Sequence, residues 1–327
     1  MTTLEAIMVR TTIATSVVAL VAACAPGSSS PQVLSPEPVS SPRCAPASGV
    51  AVQILGSGGP IADDGRASAS YLVWVDGRAR VLVDVGGGAF VRFGEAGAAL
   101  EDLDAIALTH FHTDHSADLP TLIKTGFFSA RERELLVTGP SGDVSFPGLL
   151  DFLAAMFGAE GSYAYLGWAL DEGRGPFSLR PVELDAASRT PVVVPMAGDD
   201  GLRISAVGVE HGPVPALAYR VEVGATSLAF SGDQDGNNPA FVELARGVDV
   251  LVMDHAVPES SQGTAAELHA RPSEIGALAA EAGVGTLVLS HHMQRSLADL
   301  DHGLEEISAR YDGPVIVGED LSCVVPE

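Results

Sequence analysis

The chain has 327 residues, of which 46% are hydrophobic, a composition that can bury a full core and excludes disorder throughout. It carries 42 acidic and 18 basic residues, which give a formal net charge of -24 at pH 7. Because such a charge repels polyanions, composition disfavours DNA or tRNA as a partner.

The N-terminus carries an apolar run over residues 12–23 that ends at Cys24. The run is too short to span a bilayer comfortably, and small residues before a cysteine are typical of the lipobox of bacterial lipoproteins. We therefore predict that residues 1–24 are a signal peptide and that lipid on Cys24 anchors the exported protein to the cell membrane, on its periplasmic or extracellular face. An uncleaved anchor or an ordinary secretory signal would also place the domain outside the cytoplasm.

Residues 25–48 are rich in Pro, Ser and Ala and hold almost no large apolar side chains. Such a segment cannot offset the entropy of folding, so we predict a disordered linker before a domain over residues 49–327. Disulfides persist outside the cytoplasm, and Cys44 and Cys323 are the two cysteines left once Cys24 is lipidated. They either pair, joining the ends of the domain, or stay free.

Short runs of β-branched residues separated by glycine predict strands in two series. The first series covers residues 50–55, 71–75, 80–85 and 105–108. The second covers residues 203–209, 217–223, 227–230, 250–253 and 286–289, with amphipathic helices over 273–282 and 301–310. Two strand-rich halves, each closed by helices, predict an α/β (α+β) fold in which two sheets pack face to face with helices outside.

Residues 146–179 depart from this pattern, because aromatic side chains are dense there and β-branched residues are few. The large side chains after Phe146 are Phe152, Met156, Phe157, Tyr163, Tyr165, Trp168 and Phe177. We predict an inserted helical segment. It is either a lid that supplies aromatic walls to a pocket or a helix pair that covers the sheet, since aromatics at helical spacing are common in cores.

A dense cluster of metal-binding side chains follows the predicted strand at 105–108, in the sequence His110-Phe111-His112-Thr113-Asp114-His115. In extended backbone His110 and His112 project to the same side, and a short turn then adds Asp114 and His115. Imidazole nitrogens and carboxylate oxygens suit zinc and similar divalent ions. A structural role is common for one buried histidine but does not account for this density of ligands.

This hexapeptide resembles the HxHxDH signature of the metallo-β-lactamase superfamily, whose fold is a four-layer αββα sandwich. The sequences GSGGP at 56–60, VDVG at 83–86 and TGP at 138–140 look like the branch that contains tRNase Z, related phosphodiesterases and arylsulfatase-like enzymes. The resemblance covers essentially residue 50 to the C-terminus, with residues 146–179 the main exception. It implies a hydrolase with two divalent metal ions, for which we expect Zn²⁺, with Mn²⁺ or Fe as alternatives.

The resemblance also implies ligands after three later strands. It assigns His110, His112 and His211 to one ion and Asp114, His115 and His291 to the other, with Asp233 between them. His292 is the alternative to His291, which fits the apolar-Ser/Thr-His pattern of the branch. Asp84 either fixes a ligand imidazole by accepting its hydrogen bond or accepts hydrogen bonds from amides of its own turn.

Two bound metal ions would activate water and stabilise the charge that develops on phosphoryl oxygens. We expect a metal-activated hydroxide to be the nucleophile and Asp114 both to bind metal and to accept the proton of the water. The branch protonates its leaving group with a histidine oriented by a carboxylate, and the matching residues here are His269 and Asp254, where glutamate is usual. Alternatively, His269 only borders the helix that begins near Ser273.

The tRNA-processing members of the branch carry a basic arm between the third histidine and the bridging aspartate. Here two predicted strands and the turn Gly224-Ala225 fill the interval from His211 to Asp233. We therefore predict a small-molecule ester or phosphodiester substrate and no nucleic acid polymer. The alternatives are a lactonase, β-lactamase or arylsulfatase-type hydrolase, and a non-catalytic binding lipoprotein, which the complete ligand set disfavours. A homodimer is common in the branch, although nothing in the sequence requires one.

Overall fold

The computed structural model describes residues 44–196 and 201–326. The predicted signal peptide with Cys24 and most of the predicted linker lie outside the described residues. Within those ranges, no helix combines the length and apolar character that crossing a membrane requires.

The nine predicted strands lie close to strands of the described chain, which has fourteen. In chain order they are β1 Val50–Gly56, β2 Ser70–Val75, β3 Arg78–Val83, β4 Ala105–Ala107, β5 Leu135–Pro140, β6 Leu179–Leu184, β7 Val192–Val193, β8 Leu202–His211, β9 Val214–Val223, β10 Thr226–Phe230, β11 Val250–Asp254, β12 Thr286–Ser290, β13 Val315–Val317 and β14 Cys323–Val324. The sequence did not predict β5, β6, β7, β13 or β14.

The strands form two mixed sheets of seven strands each. The first has the order β14-β1-β2-β3-β4-β5-β6 and the second β13-β12-β11-β10-β9-β8-β7. Strands β3 to β6 run parallel in the first sheet, and β10 to β13 run parallel in the second. The carboxyl ends of parallel strands share one edge of a sheet, so the loops that follow them converge there.

The helices of the described residues lie on the outer faces of both sheets or in the loops between strands. They are α1 Ala89–Glu95, α2 Thr113–Ser116, α3 Leu119–Gly126, α4 Leu149–Phe157, α5 Pro239–Leu244, α6 Thr264–Leu268, α7 Pro272–Ala282, α8 Gln294–Leu297 and α9 Leu300–Ser308. Pro272 begins α7 and Gly283, with φ 65°, follows its last residue. Both residues suit those positions, since proline fits the first turn of a helix and glycine adopts the left-handed conformation that ends one.

Three apolar layers hold these elements together. Side chains from both sheets, such as Val52 and Val288, are buried between the sheets. Phe93 of α1 and Leu122 of α3 are buried outside the first sheet, and Ile275 of α7 is buried outside the second. The prediction of two sheets packed face to face with helices outside is therefore confirmed as an αββα sandwich.

The segment over residues 146–179 contains α4, a 3₁₀ turn at Ala164–Ala169 and the first residue of β6. Leu149, Leu153 and Phe157 of α4 are buried in the layer outside the first sheet. The segment therefore covers the sheet as part of the core, as one of its two interpretations predicted. Its aromatic residues Phe146 and Phe152 instead face a cavity beside the candidate site.

The two ends of the described domain are joined covalently. Cys44 and Cys323 form a disulfide bond, with their Cα atoms 5.4 Å apart. Cys323 belongs to β14, which pairs with β1 next to it. Of the two possibilities left open for these cysteines, the structure has the paired one.

Candidate metal centre

The predicted metal-binding motif lies at the carboxyl end of β4. The backbone of His112 is extended, and α2 begins at the next residue, Thr113. This short helix turns the chain so that Asp114 and His115 lie near the two preceding histidines in space; the ring centroids of His110 and His115 are 4.1 Å apart. His110, Asp114 and His115 are buried, whereas His112 is partly exposed.

One group of potential ligands consists of His110, His112 and His211, whose ligand atoms all lie within 4.8 Å of one another. His211 ends β8, and its Nδ1 lies 2.9 Å from the carbonyl oxygen of Leu268. If Nδ1–H donates to that carbonyl, Nε2 is left facing Nδ1 of His112, 3.4 Å away. Nε2 of His110 is buried and has no hydrogen-bond partner among the described residues, which is an arrangement that suits a metal ligand.

A second group contains Asp114, His115, Asp233 and His291, again with ligand atoms within 4.8 Å of one another. Nε2 of His291 lies 3.1 Å from Oδ2 of Asp114 and 3.4 Å from Oδ1 of Asp233. Oδ2 of Asp233 lies 3.8 Å from Nε2 of His211. Asp233 thus lies between the two groups, at the position where the resemblance implies a ligand shared by both ions.

Gly232 allows the chain to place Asp233 in this position. Its φ is 58°, and a Cβ atom there would lie 2.8 Å from the carbonyl oxygen of Leu217. Glycine tolerates both the left-handed conformation and the close backbone approach. The turn directly after β10 therefore brings the aspartate back toward the histidines.

Asp84 contacts the second group through the ring nitrogen of His115 that faces away from the other ligands. Its Oδ2 lies 2.8 Å from Nδ1 of His115, and its two oxygens accept hydrogen bonds from the backbone amide and the hydroxyl of Thr109 at 2.7 and 2.8 Å. The contact with His115 is the one that the first interpretation of Asp84 predicted, whereas the amide that donates to Asp84 belongs to Thr109 and not to the turn of Asp84 itself. The imidazole of His115 is held so that Nε2 faces the cluster.

The structure distinguishes the two adjacent histidines after β12. His291, with φ 55°, lies in the cluster. His292 is fully buried elsewhere, with its Nδ1 3.2 Å from Nδ1 of His255. Sequence reasoning missed this buried histidine pair, whose members are 37 residues apart.

The predicted proton-donor pair is formed. Asp254 ends β11 and His269 directly follows α6, and Oδ2 of Asp254 lies 2.7 Å from Nδ1 of His269. Nδ1 of His269 also lies 3.9 Å from Oδ2 of Asp233. The pair therefore adjoins the second group of potential ligands.

Burial and nearby carboxylates divide the histidines into two classes. Burial lowers the pKa of His110 well below its usual value, and it lowers the pKa of His112 and His211 as well. Burial also acts on His115, but the carboxylates of Asp233 and Asp84 outweigh it and raise its pKa to about 10. The first group therefore offers neutral imidazoles, and the second attracts positive charge.

A cavity of about 480 Å³ gives access to the cluster. Its lining includes His112, Asp114, His211, Asp233, His269 and His291 together with Pro60, Phe111, Thr113 and Leu268. Five of the seven predicted ligands and the predicted proton donor His269 thus face a shared space, whereas His110 and His115 do not line it.

Residues 79–292 match the family described as "Beta-lactamase superfamily domain". The chain is 31% identical to Ribonuclease Z of Mycobacterium marinum over 286 residues, which is 83% of this chain and 97% of the relative.

Solved structures show the same fold. The metallo-β-lactamase fold protein YhfI from Bacillus subtilis matches with a TM-score of 0.64 at 21% identity, over 84% of this chain and 99% of that one. The short form of human tRNase Z matches with a TM-score of 0.64 at 18% identity, over 85% of this chain and 99% of that one.

Proposed function

The chain belongs to the β-lactamase superfamily, and we propose that it is an exported phosphodiesterase acting on small molecules. It is a metal-dependent hydrolase that acts on ester bonds. We propose its substrate class, the assignment of its metal ligands and its location outside the cytoplasm.

We assign the two groups of ligands to two divalent ions, with Asp233 shared between them. The buried nitrogens and carboxylate oxygens fit zinc, and they also fit manganese or iron. Bound ions of this kind activate water and neutralise charge that develops on a phosphoryl group. Three buried atoms that have no hydrogen-bond partner among the described residues support this assignment: Nε2 of His110, Nε2 of His115 and Oδ1 of Asp233.

Asp114 accepts a hydrogen bond from the attacking water in this proposal. Burial raises the pKa of its carboxyl group, but the hydrogen bond and charge of His291 and the charge of His115 outweigh burial and leave the pKa below the usual value. The carboxylate therefore stays ionised near neutral pH. Its Oδ2 already lies 3.1 Å from His291.

The hydrogen-bonded pair of Asp254 and His269 carries the proposal of a phosphodiester substrate. Alkoxide leaving groups are strong bases and need a proton as the P–O bond breaks, which an imidazole near neutral pKa can supply. The imidazole of His269 lines the cavity at the cluster, and Asp254 holds it at 2.7 Å. This geometry supports the proposed role of His269 as a general acid beside the proposed metal ligands.

RNA is a second candidate substrate, because the relative from Mycobacterium marinum is named Ribonuclease Z. The interval from His211 to Asp233 is described in full, and it holds β9, β10, short turns and the loop that ends at Asp233. No basic arm extends there, and the net charge of -24 opposes binding of a polyanion. A small diester is therefore the preferred substrate.

A substrate panel tests this proposal. Metal content of the purified protein is measured alongside turnover of bis-p-nitrophenyl phosphate, an aryl sulfate, a lactone, a cephalosporin and a precursor tRNA. We expect the diester to be turned over fastest. Cleavage of the lactone or cephalosporin without diester turnover, or efficient cleavage of the precursor tRNA, would overturn the proposed substrate class.

The export proposal rests on the apolar residues before Cys24. The disulfide between Cys44 and Cys323 supports it, since such bonds persist in oxidising compartments. Replacing Cys24 by serine should release the protein from the membrane fraction. If the variant fractionates with membranes as the natural protein does, the lipid anchor is excluded.

A further inference from the structure

A second, smaller cavity of about 270 Å³ adjoins the cavity at the metal centre. Its walls are Phe146, Pro147 and Phe152 from the segment at residues 146–179 and Val214 and Pro215 from the start of β9. It shares Phe111 and His112 with the cavity at the metal centre. We call this smaller cavity the side pocket.

The side pocket is apolar and rigidly built. The ring of Phe152 stacks on that of Phe111 with centroids 4.3 Å apart. Phe152 stands on α4, which is fixed by the buried side chains of Leu149, Leu153 and Phe157. His112 is the one side chain with a polar end in its lining, so a charged or strongly polar group would lose hydration there without gaining partners.

We propose that the side pocket binds an apolar substituent, an alkyl chain or an aromatic ring, carried by the diester substrate. This inference rests on the proposed function and specifies its substrate class. His269 lines the cavity at the metal centre but not the side pocket. The apolar substituent is therefore the group that stays on phosphorus, and the leaving group lies toward His269.

The reaction is hydrolysis of the diester at phosphorus. The oxygen of water forms a new bond to phosphorus while water gives a proton to Asp114. The P–O bond to the leaving group breaks, and the leaving oxygen takes a proton from His269. The product is a phosphate monoester that retains the apolar substituent. Because burial of apolar surface is favourable, kcat/KM should rise with the apolar area of the substituent that the side pocket can bury.

The test uses a series of p-nitrophenyl phosphodiesters whose second ester group is methyl, butyl, hexyl or phenyl. The leaving group is constant, so differences in kcat/KM report on the second substituent. We expect kcat/KM to rise about fourfold for each added methylene until the side pocket is filled. Phe152→Ala and Phe146→Ala should lower the hexyl-to-methyl ratio of kcat/KM about tenfold.

The matched control is Phe128→Ala, because Phe128 is 76% exposed and does not line the side pocket. Phe128→Ala should have the same hexyl-to-methyl ratio of kcat/KM as the natural protein. Phe146 precedes α4 in the chain, so its variant tests the inference even if Phe152→Ala fails to fold. Equal kcat/KM across the series, with the methyl ester turned over, would overturn the side pocket alone; no turnover of any diester would overturn the proposed function with it.

Discussion

Oδ2 of Asp254 lies 2.7 Å from Nδ1 of His269, and its other carboxylate oxygen lies 3.5 Å from Nδ1 of His291. One carboxylate thus contacts both the proposed proton donor and a proposed metal ligand. Because β11 and β12 are parallel neighbours, with Asp254 opposite Ser290 in register, the strand ends set this relationship. We therefore expect the proposed proton donor His269 and the proposed metal ligand His291 both to be positioned by Asp254 at the end of β11.

Replacing His269 by alanine should separate the two roles. Turnover of diesters with an alkoxide leaving group should fall about 10²–10⁴-fold, because the general acid is lost. Turnover of p-nitrophenyl esters should fall much less, since p-nitrophenolate leaves without a proton, and metal content should not change. His302→Ala is the control, because that histidine is 51% exposed on α9. Unchanged turnover of the alkoxide ester by His269→Ala would exclude His269 as the proton donor.

The pH dependence of kcat should report on the same histidine. Burial lowers the pKa of His269, but the charge and hydrogen bond of Asp254 outweigh burial and raise it above its usual value. The protonated acid therefore persists above the usual pKa and is lost as pH rises through the raised one. We expect kcat for an alkoxide ester to fall on the alkaline side, and Asp254→Asn to move that fall to lower pH. An alkaline limb unmoved in Asp254→Asn would contradict this assignment.

The adjacent histidines after β12 should differ in their effect on metal binding. His291 lies among the proposed ligands, whereas burial lowers the pKa of His292 to about 3 beside His255. His291→Ala should bind about one equivalent of metal in place of about two, and His292→Ala should keep both. Elemental analysis measures the content, with thermal unfolding as a check on folding. Loss of metal in His292→Ala with retention in His291→Ala would reverse the assignment.

The disulfide should stabilise the folded domain. It joins cysteines that are 279 residues apart, so it restricts a long loop of the unfolded chain. Cys323→Ser should lower the free energy of unfolding by about 2–5 kcal/mol. Urea denaturation measures this, and the natural protein under a reducing agent should match the variant. Equal stability of variant and oxidised natural protein would show that the bond contributes nothing.

The sequence predicted the centre of the site because its chemistry is local there. His110 to His115 occupy one strand end and one turn, so the spacing alone brings the four side chains together. His211, Asp233 and His291 are far apart in the chain and were found through the resemblance. The hydrogen bond between His211 and the carbonyl of Leu268 has no sequence signal, because the acceptor belongs to the backbone.

The five strands that the sequence did not predict lack the pattern of a typical strand, for different physical reasons. Strand β5 ends in Thr138-Gly139-Pro140, residues that are typical of turns. Strand β6 contains Pro181 and pairs only with β5 in the described structure, and proline is tolerated in such edge strands. Strands β7, β13 and β14 have two or three residues each, too few for a periodic pattern.

The helical pattern in residues 146–179 correctly predicted α4. The buried residues of α4 and its partly buried Phe152 all pack on the core outside the first sheet, and Phe152 also lines a cavity beside the candidate site. Phe157 is buried in the core outside the first sheet, while Phe152 lines the side pocket. Phe152 differs from Phe157 in that its ring stacks on Phe111 of the metal-binding motif, a tertiary contact that the sequence pattern does not reveal.

Metal reconstitution tests the central claim most directly. The chelated protein is titrated with Zn²⁺ or Mn²⁺, and bound metal and hydrolysis of bis-p-nitrophenyl phosphate are measured on the same samples. The proposed two-metal phosphodiesterase predicts no hydrolysis without metal and full recovery at about two bound equivalents. Hydrolysis that persists in the metal-free protein, or a two-metal protein that leaves the diester intact while it opens a lactone or cephalosporin, would contradict it.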